Sequence, residues 1–283
     1  MNTVEFHNVT KKRKDFSIEK LNFTIPQGYI TGFIGPNGSG KTTTIQMMMN
    51  LLSYDAGDIR LFGTSHNEQQ LKQKIGFVYD DLYMYEEFNI GKMKSFIAPL
   101  YETWNETLFQ KYLTIFELPE FKKIKKFSKG MKMKCSLLFA LSHEPEFIIM
   151  DEPTSGLDPI FRRELLEHIQ ELMVKEKQTI FLSSHITADL DRIADYIIFI
   201  YKGKIMLQKS MEEIQRSFYI IKGKSDLIDA DTKELFIGIK QTKMGFEALF
   251  EGELSLFDGF GDEIVAEKAT LEDIMYFMTR KEY

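Results

Sequence analysis

Gly35-Pro36-Asn37-Gly38-Ser39-Gly40-Lys41-Thr42 lies between an apolar run, Gly28 to Ile34, and a segment, Thr43 to Met49, with helical character. The octet satisfies G-x-x-x-x-G-K-[ST] at every fixed position, and its flanks read as a buried strand and a helix. A chain carrying this unit is restricted to α/β architectures in which a strand feeds a glycine loop and a helix. Without side chains at the glycines, successive backbone N–H groups can turn onto an anion, and the helix that follows aims its positive dipole end at the same place. Lys41 is placed to bridge outer phosphates and the Thr42 hydroxyl to complete a magnesium shell, with Thr43 beside it. The spacing predicts a nucleoside triphosphate site.

The rest of the chain arranges itself around that unit. Residues 1–80 read as strand-rich, with turn signals at Asp55-Ala56-Gly57-Asp58 and Phe62-Gly63-Thr64. From about 84 to 145 the pattern becomes helical: Met93, Phe96, Ile97 and Leu100 recur at helix spacing, as do Leu108, Tyr112, Ile115 and Phe116. Strand-like runs return at Phe147–Met150, Thr179–Leu182 and Tyr196–Tyr201, with Leu165, Leu166, Ile169, Leu172 and Met173 on one helix face between the first two. Strands alternating with helices predict a parallel α/β core with an inserted helical subdomain. Past Arg216 the pattern weakens into short strands, Phe218–Ile221 and Leu235–Ile239, and a closing helix. That helix is capped by Thr270 with Asp273 three residues on, and Leu271, Ile274, Met275 and Met278 share a face. The expected division is 1–215 for the main domain and 216–283 for a small α+β accessory domain.

The balance of 36 basic against 42 acidic residues gives −6, so nothing global suggests a nucleic-acid partner. The single cysteine, Cys135, excludes an internal disulfide and fits a reducing compartment. No apolar stretch is long enough to cross a bilayer, and the start of the chain lacks the apolar core of a signal peptide. A membrane role therefore requires a partner.

Phe147-Ile148-Ile149-Met150-Asp151-Glu152 delivers two carboxylates at the carboxyl end of a buried strand, where ligands sit in open α/β sheets. Behind a complete phosphate loop, Asp151 is a magnesium ligand, direct or through water. Glu152 is the group that polarises the attacking water, because phosphoryl transfer needs a positioned nucleophile more than covalent help.

With these in place, Phe127-Ser128-Lys129-Gly130-Met131 resembles the L-S-G-G-Q signature of the ATP-binding-cassette family. The order of phosphate loop, signature, acidic strand, Ser155-Gly156-Leu157-Asp158 and Ser184-His185 is similar to that family over residues 1 to about 210. The resemblance is to single-cassette ATPases of bacterial exporters. It implies a phosphate-loop NTPase cassette with a mixed-sheet core. It further implies a head-to-tail dimer, in which each ATP lies between the phosphate loop of one copy and the signature of the other. In that arrangement Ser128 and the Gly130 N–H face the γ-phosphate across the interface, Asp158 links the two sites, and His185 contacts the γ-phosphate and holds Glu152. The partners implied are a membrane permease and a second cassette, identical or different, so the chain is expected at the cytoplasmic face of the membrane.

Three positions depart from the family pattern. The signature carries Lys129 and Met131 where the family has glycine and glutamine. Asp80 stands at the usual glutamine near Phe77-Val78-Tyr79, where it either ligates the metal or, with Asp81, caps the following turn. The aromatic that stacks on adenine is replaced by Lys12 or Arg13, with Phe16 just beyond. The lysine run Lys122, Lys123, Lys125, Lys126, Lys129, Lys132 and Lys134 reads as a solvated face, with attraction to anionic lipid as the other reading. The aromatic stretch Leu82 to Phe88 lies where the family forms its groove for the permease's cytoplasmic helix.

The expected activity is Mg²⁺-dependent ATP hydrolysis coupled to export of a peptide, drug or lipid-like cargo through a separate permease. A soluble cassette ATPase acting on DNA or ribosomes is the alternative. Long coiled coils between loop and signature, or a second cassette in the chain, would mark those classes, and neither is present. A phosphate-loop kinase with its own acceptor pocket is the third reading.

Overall fold

The computed structural model describes residues 1–79, 84–176 and 178–280. The chain opens with two long antiparallel strands, β1 (Asn2–Lys12) and β2 (Ser17–Pro26), and then β3 (Ile30–Ile34), whose five residues are all buried. The phosphate loop leads into α1 (Lys41–Met48), followed by β4 (Ala56–Leu61) and the short β5 (Thr64–Ser65). β6 (Ile75–Val78) precedes three helices, α2 (Ile90–Ile97), α3 (Glu106–Ile115) and α4 (Lys129–Leu141). Side-chain caps start them: Asn89, Asn105 and Ser128 each accept the backbone N–H three residues on.

The second half alternates β7 (Phe147–Asp151), α5 (Pro159–Glu176), β8 (Thr179–Ser184), α6 (Thr187–Ile193), β9 (Tyr196–Tyr201), β10 (Lys204–Ser210) and α7 (Met211–Ser217). Last come β11 (Phe218–Gly223), α8 (Ala230–Glu234), β12 (Phe236–Thr242), β13 (Gly245–Glu251), β14 (Ile264–Lys268) and α9 (Leu271–Thr279). α9 begins at Thr270 with a reciprocal capping box to Asp273.

Three sheets result. β10-β9-β3-β8-β7-β6 is the central one, parallel except for β10, and this mixed α/β sheet is the expected fold class. Its inner strands read as unbroken apolar runs because both faces are covered. On one face packs the antiparallel sheet β2-β1-β4-β5. A row of rings joins them: Phe6 stacks on Phe23 at 4.3 Å, Phe23 meets Phe33 at 6.0 Å, and Phe33 meets Phe181 at 5.2 Å. α1 packs into that same side through Ile45, Met47 and Met48, and on the other face lie α2 to α6, in a core running from Ile34 through Leu137, Met150 and Leu182.

The third sheet, β12-β13-β11-β14, belongs to the carboxy-terminal part. Part of its apolar surface is continuous with the helical core, since Leu271, Ile274 and Phe277 of α9 cluster with Leu190 and Ile193 of α6 and with Ile214. The 215/216 division falls inside α7. In the helical segment, Met93 turns inward while Phe96 and Leu100 are exposed, so that face is split rather than wholly buried. Phe96 instead stacks on Phe88 at 5.5 Å.

The turn between β9 and β10 props the phosphate loop. Gly203 has φ 73°, donates its N–H to the Ser39 carbonyl at 3.0 Å, and accepts from Glu19 N–H at 3.1 Å. A Cβ there would lie 2.0 Å from the Ser17 carbonyl, so no other residue fits without moving β2.

Candidate functional site

The loop leaves β3 at the centre of the sheet, between β8 and β9, and α1 begins at Lys41. Gly40 caps it with φ 113°, a conformation costly for any side chain, and a Cβ would meet the Phe16 ring at 2.9 Å. The Thr44 N–H and hydroxyl both donate to the Gly40 carbonyl at 2.9 Å, which closes the first turn. Ser39 Oγ is buried within the loop and has no hydrogen-bond partner among the described residues.

Lys41 is only 6% exposed and folds back on its own loop, donating to the Gly35 carbonyl at 2.6 Å. Its Nζ is 3.2 Å from Glu152 Oε1. The other carboxylate oxygen of Glu152 accepts from the His185 backbone N–H at 3.2 Å and pairs with His185 Nδ1 at 2.7 Å. A buried ammonium needs a compensating negative charge, and here Glu152 supplies it. The three side chains are therefore linked in series, with the acid in the middle.

Glu152 itself is strained, with φ 50°, a conformation that costs on the order of 1–3 kcal/mol for a residue other than glycine. Its N–H is held by Ser183, at 3.2 Å to the carbonyl and 3.1 Å to Oγ. The same Ser183 hydroxyl donates to Asp151 Oδ1 at 2.5 Å. Ser183 thus anchors the Asp151 carboxylate and the Glu152 backbone. It stands directly opposite Asp151 in the β7–β8 register, a pairing that the linear sequence does not reveal.

A cleft of about 640 Å³ opens over these groups, lined by Asn37, Gly38, Gly40 to Thr43, Glu152, Ser155 and His185, with Asp15 and Phe16 on one wall. Of the residues expected to bind nucleotide, the loop, Glu152 and His185 come together. Asp151 lies buried beneath them. Ser128, Gly130 and Asp158 do not line the cleft. Ser128 caps α4, Gly130 packs on Phe161, and Asp158 Oδ1 accepts the Phe161 N–H at 3.0 Å to open α5. Lys12 and Arg13 are also absent from its wall, where Phe16 stands instead. Asp80, Asp81, Leu82 and Tyr83 lie outside the described residues.

In the lysine run, Lys123 and Lys125 pair with Glu87, Lys132 with Glu86, and Lys134 with Glu164 at 3.9 Å. Much of that charge is answered locally, as in an ordinary solvated face.

A glycine cradle on the central strand, a buried lysine and an acidic strand end beside it define a phosphate-loop nucleoside triphosphatase cassette. The sequence profile of the ABC transporter family matches residues 18–155. The bacitracin transport ATP-binding protein BcrA of Bacillus licheniformis is 34% identical over 204 residues, 71% of this chain and 67% of that protein. The lantibiotic transport ATP-binding protein SrtF of Streptococcus pyogenes is 34% identical over 197 residues, 69% and 85% of the two. A solved ATP-binding subunit of an ABC transporter superposes with a TM-score of 0.68 at 27% identity, over 76% of this chain and 92% of that one. This chain belongs to the ABC transporter family, as an ATP-binding, ATP-hydrolysing subunit. Subunits of this class dimerise and work with a membrane permease. Among the described residues, no helix is long and apolar enough to cross a membrane.

Proposed function

We propose that this subunit powers export of a peptide, with Glu152 as the group that orients and accepts a proton from the attacking water. The carrying observation is the Lys41–Glu152–His185 arrangement. Lys41 is drawn to whichever anion is nearest, so an incoming γ-phosphate replaces Glu152 as its partner. The freed carboxylate oxygen then faces the phosphate from within the cleft, while His185 still holds the other one. The water loses its proton to Glu152 as its oxygen bonds to phosphorus, and the bond to ADP breaks. The Thr42 hydroxyl and the Asp151 carboxylate are hard oxygen donors of the kind magnesium takes alongside phosphate oxygens, and the Ser183 bond keeps Asp151 oriented. Magnesium would neutralise charge on the phosphates there. No role is assigned to Asp80.

Ser128 and the Gly130 N–H lie away from the cleft at the start of α4, as a group offered to a second copy would. A homodimer brings them over the neighbour's phosphates. Peptide cargo follows from the relatives, whose names attach them to bacitracin and lantibiotic transport; those likenesses do not favour the soluble alternative. The permease contact is placed at a groove of about 360 Å³ whose walls include Met49, Leu51, Phe77, Tyr79, Met84 and Leu100. It is mostly apolar, with Met49 and Met84 as adaptable contacts and Lys72 and Ser136 as its polar members, and suits an amphipathic helix. The carboxy-terminal part is assigned to stabilising the cassette at α6, away from that groove.

Glu152→Gln tests the reading. It removes the charge that competes with phosphate for Lys41, so ATP binding is kept or tightened while steady-state hydrolysis falls by roughly two orders of magnitude or more. The ATP-loaded variant should run as a dimer on a sizing column. Unchanged hydrolysis would strip Glu152 of the role.

A further inference from the structure

We propose that Arg162 and Asp189 form a positioning strut that holds Asp158 and His185 at one spacing, so that the loop carrying Asp158 and the histidine that holds Glu152 move together. This rests on the roles given above to Asp158 and His185. Arg162 Nε lies 2.6 Å from Asp189 Oδ1, and the Asp189 side chain is 3% exposed. Each residue sits one turn beyond a loop that matters. The Arg162 N–H donates to the Asp158 carbonyl at 2.9 Å in the first turn of α5, and the Asp189 N–H donates to the Ile186 carbonyl at 3.3 Å in the first turn of α6.

The pair is expensive for its place. Asp189 Oδ2 is buried with no hydrogen-bond partner among the described residues, so the carboxylate is desolvated with only one of its oxygens compensated. A well-packed apolar pair would hold α5 to α6 at least as firmly. What an ion pair adds is direction, since the guanidinium and the carboxylate fix angle as well as distance. Further along the same two helices, Glu167 pairs with Arg192 at 3.0 Å and with Arg163 at 3.0 Å, all well exposed. That second cluster joins the same elements away from both loops, and it is the internal control.

The experiment compares Asp189→Asn, Asp189→Glu, Arg162→Ala and Glu167→Gln in the full chain. It reads kcat and KM for ATP, the affinity for a fluorescent ATP analogue, and the melting curve. The strut predicts that Asp189→Asn and Arg162→Ala lower kcat by roughly 10- to 100-fold, because misplacement of about an ångström has that scale of effect. Nucleotide affinity should hold within about twofold, marking loss of an interaction made only in the transition state. Asp189→Glu should restore most of kcat, and Glu167→Gln should match the parent. If Arg162→Ala fails to fold, Asp189→Asn, which keeps shape without charge, carries the test. Turnover retained in Asp189→Asn, or affinity and kcat falling together with the melting temperature, overturns the strut. Glu152→Gln and His185→Ala run alongside: activity surviving in those two would bring down the underlying site reading, whereas activity lost in them and kept in Asp189→Asn would remove the strut alone.

Discussion

At the scale of single residues, the cleft shows how a side chain far along the chain enters a site. Phe16 sits at the turn between β1 and β2, where the Arg13 N–H donates to the Phe16 carbonyl at 2.9 Å, and its ring leans on Gly40. The sequence offered Lys12 or Arg13 as the base contact, with Phe16 just beyond, because the position is counted along the chain. The ring reaches the loop because the two-sheet packing folds the hairpin over it, which no local pattern encodes. Phe16→Ala should raise KM for ATP about five- to tenfold with kcat nearly unchanged, the loss of about 1 kcal/mol of aromatic contact felt equally by ground and transition states. Lys12→Ala and Arg13→Ala should leave KM alone. The opposite ranking in equilibrium nucleotide titrations would return the base contact to the cations.

At the scale of elements, α4 does two jobs that a pair of substitutions can separate. Ser128 caps the helix through the Met131 N–H at 3.2 Å, and its hydroxyl is also the group proposed to meet the partner's phosphate. Ser128→Ala should cost about 1 kcal/mol of stability, a drop of roughly 2–4 °C in melting temperature, together with activity. Ser128→Asp keeps a good cap but sets a carboxylate against the phosphate, so the melting temperature should hold while hydrolysis collapses. Calorimetry with a phosphate-release assay distinguishes the two. Deeper in α4, Cys135 is fully buried, and burial pushes its thiol up to about 12. It should be silent to thiol reagents in the native protein and react once the helix opens, which makes it a built-in unfolding reporter.

What was legible at this scale follows a physical division. The phosphate loop, β7, β8 and the Thr270 cap announce themselves because each is specified by neighbours in the chain: glycine spacing, unbroken apolar runs, a cap with its acid three residues on. Ser183 beneath Asp151, and Arg162 against Asp189, depend on strand register and helix docking, which are settled only when distant segments meet. Phe96 and Leu100 mislead for the same reason. Helical spacing marks them as apolar, but it does not say whether a neighbour covers them, and here they stay at the surface.

At the scale of the whole molecule, the carboxy-terminal part is packed in rather than appended. Leu271, Ile274 and Phe277 of α9 lie against Leu190 and Ile193, one helix away from His185. Ile274→Ala should therefore destabilise the protein by about 2–5 kcal/mol, the range for opening a cavity in a close-packed core. Removing 217–283 should leave the nucleotide residues intact yet uncover α6, lowering the melting temperature of the remaining cassette. A truncated cassette melting at the same temperature as the full chain would show the two parts to be independent. Because that seam is made of interlocked side chains, the tail is not a portable module. Grafted onto a related ATPase, it would present its helix to a surface shaped for something else, and this cassette without it would be a poor recipient for another's. A substitution in α9 at that seam is tolerated only where α6 can repack around it.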